Sequence, residues 1–240
     1  MKNAKAKWEV GKAVAMLFAV ATLGGAQTPD TRPGLAVLPF TNGSINPELA
    51  NLTKGFQGML TAELSNNTRI RLVERDNVQR ILDEQGLGTR GQLDPATIVR
   101  VGKIVGARYM IEGTYTTDPR KNMYIVLKVF DVETSEIIFS DNTVSGKIDD
   151  LMQLVVKASG VANTKLNLPQ LPPGSPAARE AAAKTENTKK MPLAAAVLYA
   201  RALEAQDAGK KDEAITLYKQ VVTQFPYPPA QKAITELSAK

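Results

Sequence analysis

Four carboxylates gathered in one short stretch, Glu74, Asp76, Asp83 and Glu84, are the first residues that could carry acid–base chemistry. Glycoside hydrolysis needs two carboxylates facing each other across a cleft at a set separation, and no local motif here supplies that arrangement. At strand ends and helix starts, such residues are expected to stabilise helix N-termini or to face solvent. The chain has no histidine and no cysteine. Ser-His-Asp and Cys-His catalysis, the common zinc sites, disulfides and thiol chemistry are therefore excluded. Gly86, Gly88 and Gly91 lack both the lysine and the preceding strand of a phosphate-binding loop. No catalytic residue, no cofactor and no metal is expected, so the chain reads as a non-enzyme. The candidates for partner binding are Tyr199 and Tyr218, because tyrosine joins an apolar ring to a polar tip. The same two residues serve equally well as core.

The ends of the chain bear on where such a protein works. Lys2, Lys5, Lys7 and Lys12 precede an uncharged apolar run from Ala13 to Leu23, and Gly24-Gly25-Ala26 follow. This is the pattern of a secretory signal peptide over residues 1–26, cleaved after Ala26. Its apolar core is short of the roughly 20 residues of a membrane-spanning helix. Cleavage removes four lysines and Glu9, lowering the net charge from +6 to +3. So mild a charge, without a concentrated basic stripe, argues against nucleic-acid binding. The missing cysteine also removes the lipid-modified residue of a bacterial lipoprotein, so a periplasmic protein without an integral membrane span is expected.

The elements that position these residues follow from hydrophobic period. Leu35 to Phe40 is apolar throughout, a buried strand with Pro39 near its end, and 41–44 reads as a loop. From Pro47 to Ser65, Leu49, Leu52, Phe56, Leu60 and Leu64 recur at helical spacing, with Gly55 and Gly58 suited to close approach. Residues 70–74 alternate as a half-buried strand. Asp76 with Gln79 forms a capping-box pattern for the next helix, which Gly86 stops. Asp94-Pro95 opens another helix, ended by Gly106. Residues 108–117, 123–133 and 137–144 are rich in Tyr, Ile, Val and Thr and read as an antiparallel meander. A helix from Ile148 to about Leu166 covers one sheet face. The expected fold class is α/β, an α+β sandwich whose mixed sheet with an antiparallel meander is covered by helices, over residues 27–167. Residues 168–190, rich in Pro, Ala and Lys, read as a linker outside either core. Residues 191–240 read as an all-α helical hairpin.

Ala202, Ala214, Tyr218, Val221 and Pro226 give that hairpin a pattern that resembles a tetratricopeptide repeat. A lone repeat buries little, so a capping helix, docking onto the first domain or self-association is expected. Over 35–167, four segments occur in order: Leu35 to Phe40; Leu72-Val73-Glu74-Arg75; Ile104 to Tyr109 continuing to Glu112-Gly113; and Val129 to Thr134 with Glu136-Ile137-Ile138. This succession resembles the CsgG family of curli assembly and secretion components, related in fold to the TolB N-terminal domain and to lipoprotein activators of peptidoglycan synthases. The resemblance implies a non-catalytic periplasmic role in the cell envelope, as an adaptor or assembly factor bound to other envelope or outer-membrane proteins. The alternative it implies is a homo-oligomeric periplasmic ring of a secretion channel. A pore within this chain is not expected, because each barrel strand needs about 9–11 alternating residues and the connections are too short.

Overall fold

The computed structural model describes residues 30–44, 52–88 and 92–239. The leader expected at 1–26, the first residues of the helix expected from Pro47, and Gly91 lie outside them. The sheet consists of β1 (Gly34–Val37), β2 (Thr41–Asn42), β3 (Arg71–Leu72), β4 (Tyr109–Thr117), β5 (Asn122–Asp131) and β6 (Glu136–Lys147). Its order is β3-β1-β4-β5-β6, with β2 also on β4. β1 runs parallel to β3 and β4, whereas β4, β5 and β6 form the antiparallel meander. The fold class is thus a mixed α/β sheet packed with helices, followed by C-terminal helices.

β1 is apolar without alternation because both of its faces are covered. Leu35 and Val37 enter a core with Phe56, Met59 and Leu60 of α1 (Leu52–Leu64) and with α4 (Leu151–Lys165). Ala36 and Leu38 enter a second core with α2 (Arg75–Glu84) and α3 (Pro95–Val105). Pro39 has no N–H to give, so β1 breaks there. The chain returns to β4 as β2, pairing Thr41 with Thr114; the loop expected at 41–44 therefore contains a two-residue strand. Phe40 stacks on Phe56 at 4.8 Å, and Phe56 on Tyr115 at 5.9 Å. The Phe40 ring lies directly on β4 because Gly113 has no side chain, and a Cβ there would stand 2.1 Å from it.

The two short helices differ in how they start. Asp94 caps α3, its carboxylate accepting from the Thr97 amide at 3.0 Å and the Thr97 hydroxyl at 2.7 Å. Gly106 ends that helix in the left-handed conformation at φ 67°. The Thr97 bonds hold the Asp94 carboxyl below its ordinary range. Asp94→Ala should therefore speed hydrogen exchange at Thr97. In the unaltered chain this cap is fully effective above the unfolded carboxyl pKa and weakens as pH falls through the lower folded value, which the same exchange measurement reads. The capping box expected of Asp76 and Gln79 does not form: Glu74 holds the N-cap position of α2 without a side-chain bond. Asp76 is drawn to Arg75 and Gln206 instead, and Gln79 donates to Asp83 at 2.9 Å.

The largest difference from the sequence reading lies at the C-terminal end. From Arg32 onward the chain forms one compact unit. α5 (Pro176–Thr188) buries no residue, as its lack of an apolar stripe requires, but Leu168 and Met191 at the two ends of this segment are buried in the main core. α6 (Leu193–Asp207), α7 (Lys211–Gln224) and α8 (Pro228–Ser238) follow. Ala195, Ala196, Tyr199, Ala200 and Leu203 of α6 belong to the same core as Phe56, Met59 and Leu60. Of the outcomes expected for a lone hairpin, docking onto the first domain is the one observed, and the difference is that the ends of the 168–190 segment join that core. The physical reason for the docking is surface shape: Gly55 and Gly58 on α1 meet Ala200, Leu203 and Tyr199 on α6 with no room for a further carbon.

Candidate functional site

Docking the hairpin leaves a cleft of about 460 Å³ between α1, the β3–α2 turn, the end of α5 and the C-terminal helices. Its size is within the range of small-ligand sites, roughly 300–1,000 Å³. One wall is the turn Leu72 to Asp76, held there because β3 ends after two residues and α2 begins at once. Tyr199, Leu203 and Gln206 come from α6, and Phe225 and Tyr227 from the turn that Pro228 closes.

A charged network fixes the back of the cleft. Arg75, 7% exposed, grips both oxygens of Asp207 at 2.6 and 3.0 Å and reaches Asp76 at 2.7 Å. Lys54 meets Asp207 at 2.7 Å. Gln206 donates to Asp76 at 2.8 Å and accepts from the Tyr218 hydroxyl at 2.7 Å. Burial alone would raise the Asp207 carboxyl, but the bonds and charges of Arg75 and Lys54 outweigh it and bring the carboxyl below its usual range. Burial likewise opposes the charge on Arg75, and the bond to Asp207 together with the charges of Asp207 and Asp76 more than restores it.

Tyr199 and Tyr218, the two sequence-derived candidates, line this cleft and are also buried, at 5% and 0% exposure. They belong to one aromatic cluster: Tyr199 lies 5.9 Å from Tyr218 and edge-on to Tyr227 at 5.0 Å. Burial pushes the Tyr199 hydroxyl up to about 12 and raises those of Tyr218 and Tyr227 as well. All three stay neutral at physiological pH. The four carboxylates do not act together. Asp83 and Glu84 pair within α2 with Gln79 and Arg80. Glu74 meets Lys232 of α8 at 3.6 Å, and Asp76 belongs to the network. Among the described residues no group of three or more carboxylates is placed to hold a metal ion, and no helix is long and apolar enough to cross a membrane.

Two residues of the cleft were not legible in the sequence. Glu63 is buried on α1, where one carboxylate oxygen accepts from the Thr185 hydroxyl of α5 and the other has no hydrogen-bond partner. The Tyr227 hydroxyl, on a residue 2% exposed, has none either. The one local signal was an acidic residue within the apolar stripe of α1, beside Leu64.

Several solved structures are similar to part of this chain. The LpoB C-terminal domain from Salmonella enterica is 20% identical, with a TM-score of 0.41 over 48% of this chain and 82% of its own. Lipoprotein GNA1162 from Neisseria meningitidis is 18% identical, with a TM-score of 0.39 over 56% and 96%. A PelC dodecamer from Paraburkholderia phytofirmans is 14% identical, with a TM-score of 0.32 over 57% and 90%. No curated protein matches the chain in sequence. The fourth segment of the family-like pattern, Val129 to Ile138, falls beyond the end of the family match, while the first three fall within it. Over residues 18–118 the chain is similar to the family of the curli production assembly/transport component CsgG.

Proposed function

We propose that this is a non-catalytic, periplasmic protein of the bacterial cell envelope that works as an adaptor or assembly factor, by binding other envelope or outer-membrane proteins. The observation that carries the reading is the cleft between the CsgG-like domain and its docked helices, which has aromatic walls, a fixed ionic back and unmet polar atoms. The similarity at residues 18–118 supports an assembly role. In this reading the α6–α7 hairpin, with its resemblance to a tetratricopeptide repeat, contributes one wall of the binding surface, and Tyr199 and Tyr218 shape the cleft from within. A photo-crosslinking p-benzoylphenylalanine in place of Ser65, an exposed residue at the cleft, should yield a single defined adduct in cells of the native host. Tryptic mass spectrometry then identifies the partner, and the absence of any adduct counts against docking at this face.

A specific feature favours a second reading, the periplasmic ring. β6 is the last strand of the sheet order, and Ile137 and Ile138 on it are 50% and 43% exposed. A long outer strand with apolar side chains is a template for pairing with another chain. Light scattering coupled to size exclusion on the chain beginning at Gln27, without detergent, separates the two. The adaptor predicts a monomer or dimer; a discrete high-order oligomer would replace it with the ring.

A further inference from the structure

We propose that the cleft receives a lysine side chain presented by an extended segment of a partner protein, with Glu63 and Tyr227 as its receptors. The inference rests on the docking reading above and specifies the chemistry that the partner brings. Buried polar atoms almost always have hydrogen-bond partners, so each exception requires a cause. Here two exceptions belong to residues that line the same cleft: Glu63 Oε2 and the Tyr227 hydroxyl, on residues 6% and 2% exposed.

A carboxylate only accepts, so whatever completes Glu63 must donate. An ammonium offers three donors from a compact head and no acceptor, which suits one carboxylate oxygen and one phenol oxygen together. The chain's own cations at the cleft are engaged elsewhere. Arg75 is held by Asp207 and Asp76, Lys184 by Glu180 at 2.7 Å, and Lys232 by Glu74 and Glu236 at 3.6 and 3.7 Å. The walls fit the rest of a lysine. Leu72, Leu203 and Phe225 offer apolar surface for the methylene stem, and the rings of Tyr199 and Tyr227 favour a nearby positive charge. Thr185, bonded to the other oxygen of Glu63, fixes the direction of the carboxylate.

The test uses isotope-labelled protein beginning at Gln27 and a blocked peptide, Ac-Ala-Ala-Lys-Ala-Ala-amide, with its norleucine and acetyl-lysine counterparts. The lysine peptide should shift the amide signals of Glu63, Thr185 and Tyr227. It should bind at least about tenfold more tightly than either neutral peptide, a difference of about 1.4 kcal/mol. Glu63→Gln, which keeps the shape and the bond from Thr185, should erase that preference. Equal affinities for the three peptides, shifts confined to other surfaces, or no binding at millimolar concentration would overturn the proposal. The peptide comparison is made on the unaltered protein, so it stands even where the variant folds poorly. The crosslink from position 65 separates docking at the cleft from recognition of the ammonium group. An identified partner without lysine preference removes only the ammonium chemistry, whereas loss of both removes docking at the cleft.

Discussion

Asp207→Ala should lower the unfolding free energy by about 3 kcal/mol, read as a fall in the urea midpoint, because it leaves a buried guanidinium with only the exposed carboxylate of Asp76 as its ionic partner. Arg75 and Asp207 are each 7% exposed, and their two-point contact joins the start of α2 to the end of α6 across 132 residues of chain. Lys54 loses its carboxylate partner as well. Surface ion pairs contribute at most about 1 kcal/mol, so a loss no larger than that would show the pair to be incidental. The companion double variant, Arg75→Met with Asp207→Leu, should recover part of the loss, since it removes the buried guanidinium and leaves only the more exposed Lys54 and Asp76 without their ionic partners. The pair also sets a direction for acid sensitivity. Its carboxyl is held below the ordinary range in the fold. The stabilisation is therefore complete above the unfolded value of about 3.9 and drains away as pH falls through the lower folded value. Acid titration of the parent should loosen α6 and α7 in that window, and Asp207→Asn should remove this part of the acid dependence.

Gly55→Leu should cost about 3 kcal/mol for a different reason, overpacking of a helix interface. A Cβ at Gly55 already stands 2.4 Å from the Ala200 Cβ and 3.1 Å from its Cα. Backbone cannot swing aside as a long side chain can, so α1 and α6 must separate. Any helix gains up to about 1 kcal/mol when glycine is replaced by a better former, and here the clash exceeds that gain. The control has the opposite sign: Gly160, on the exposed side of α4, has no atom within 4 Å of an added Cβ, so Gly160→Ala should stabilise by up to about 1 kcal/mol. Hydrogen exchange should show protection lost first in α6 and α7 of the Gly55→Leu protein, with the sheet amides retained longer. Equal loss in both would mean that the hairpin is bound to the sheet unit through other contacts.

Periodicity and end signals carried the mixed sheet, its meander and the helices that cover it. The Tyr-, Ile-, Val- and Thr-rich segments of β4 and β5, helical spacing in α1 and α4, and Asp94-Pro95 with Gly106 around α3 are local signals, fixed by backbone geometry and by the few residues that satisfy helix ends. Local reasoning failed where a distant partner competed. Asp76 had the sequence of a helix cap, but Arg75 and Gln206 offered stronger bonds than the free amides of α2. Tyr199 and Tyr218 stood out in the sequence as residues that could serve a partner or the core, and only packing placed them within one buried cluster with Tyr227 rather than on an open surface.

By itself the sequence determined the fold class and removed histidine- and cysteine-based chemistry, since those conclusions depend on residue type and spacing alone. The tertiary structure decided that the last helices share a core with the sheet unit, and that Glu63 and Tyr227 line one cleft with two unmet polar atoms. The physical reason is that both facts depend on which surfaces fit: two glycines on α1 against a small-residue face on α6, a complementarity that no spacing along a single chain can express.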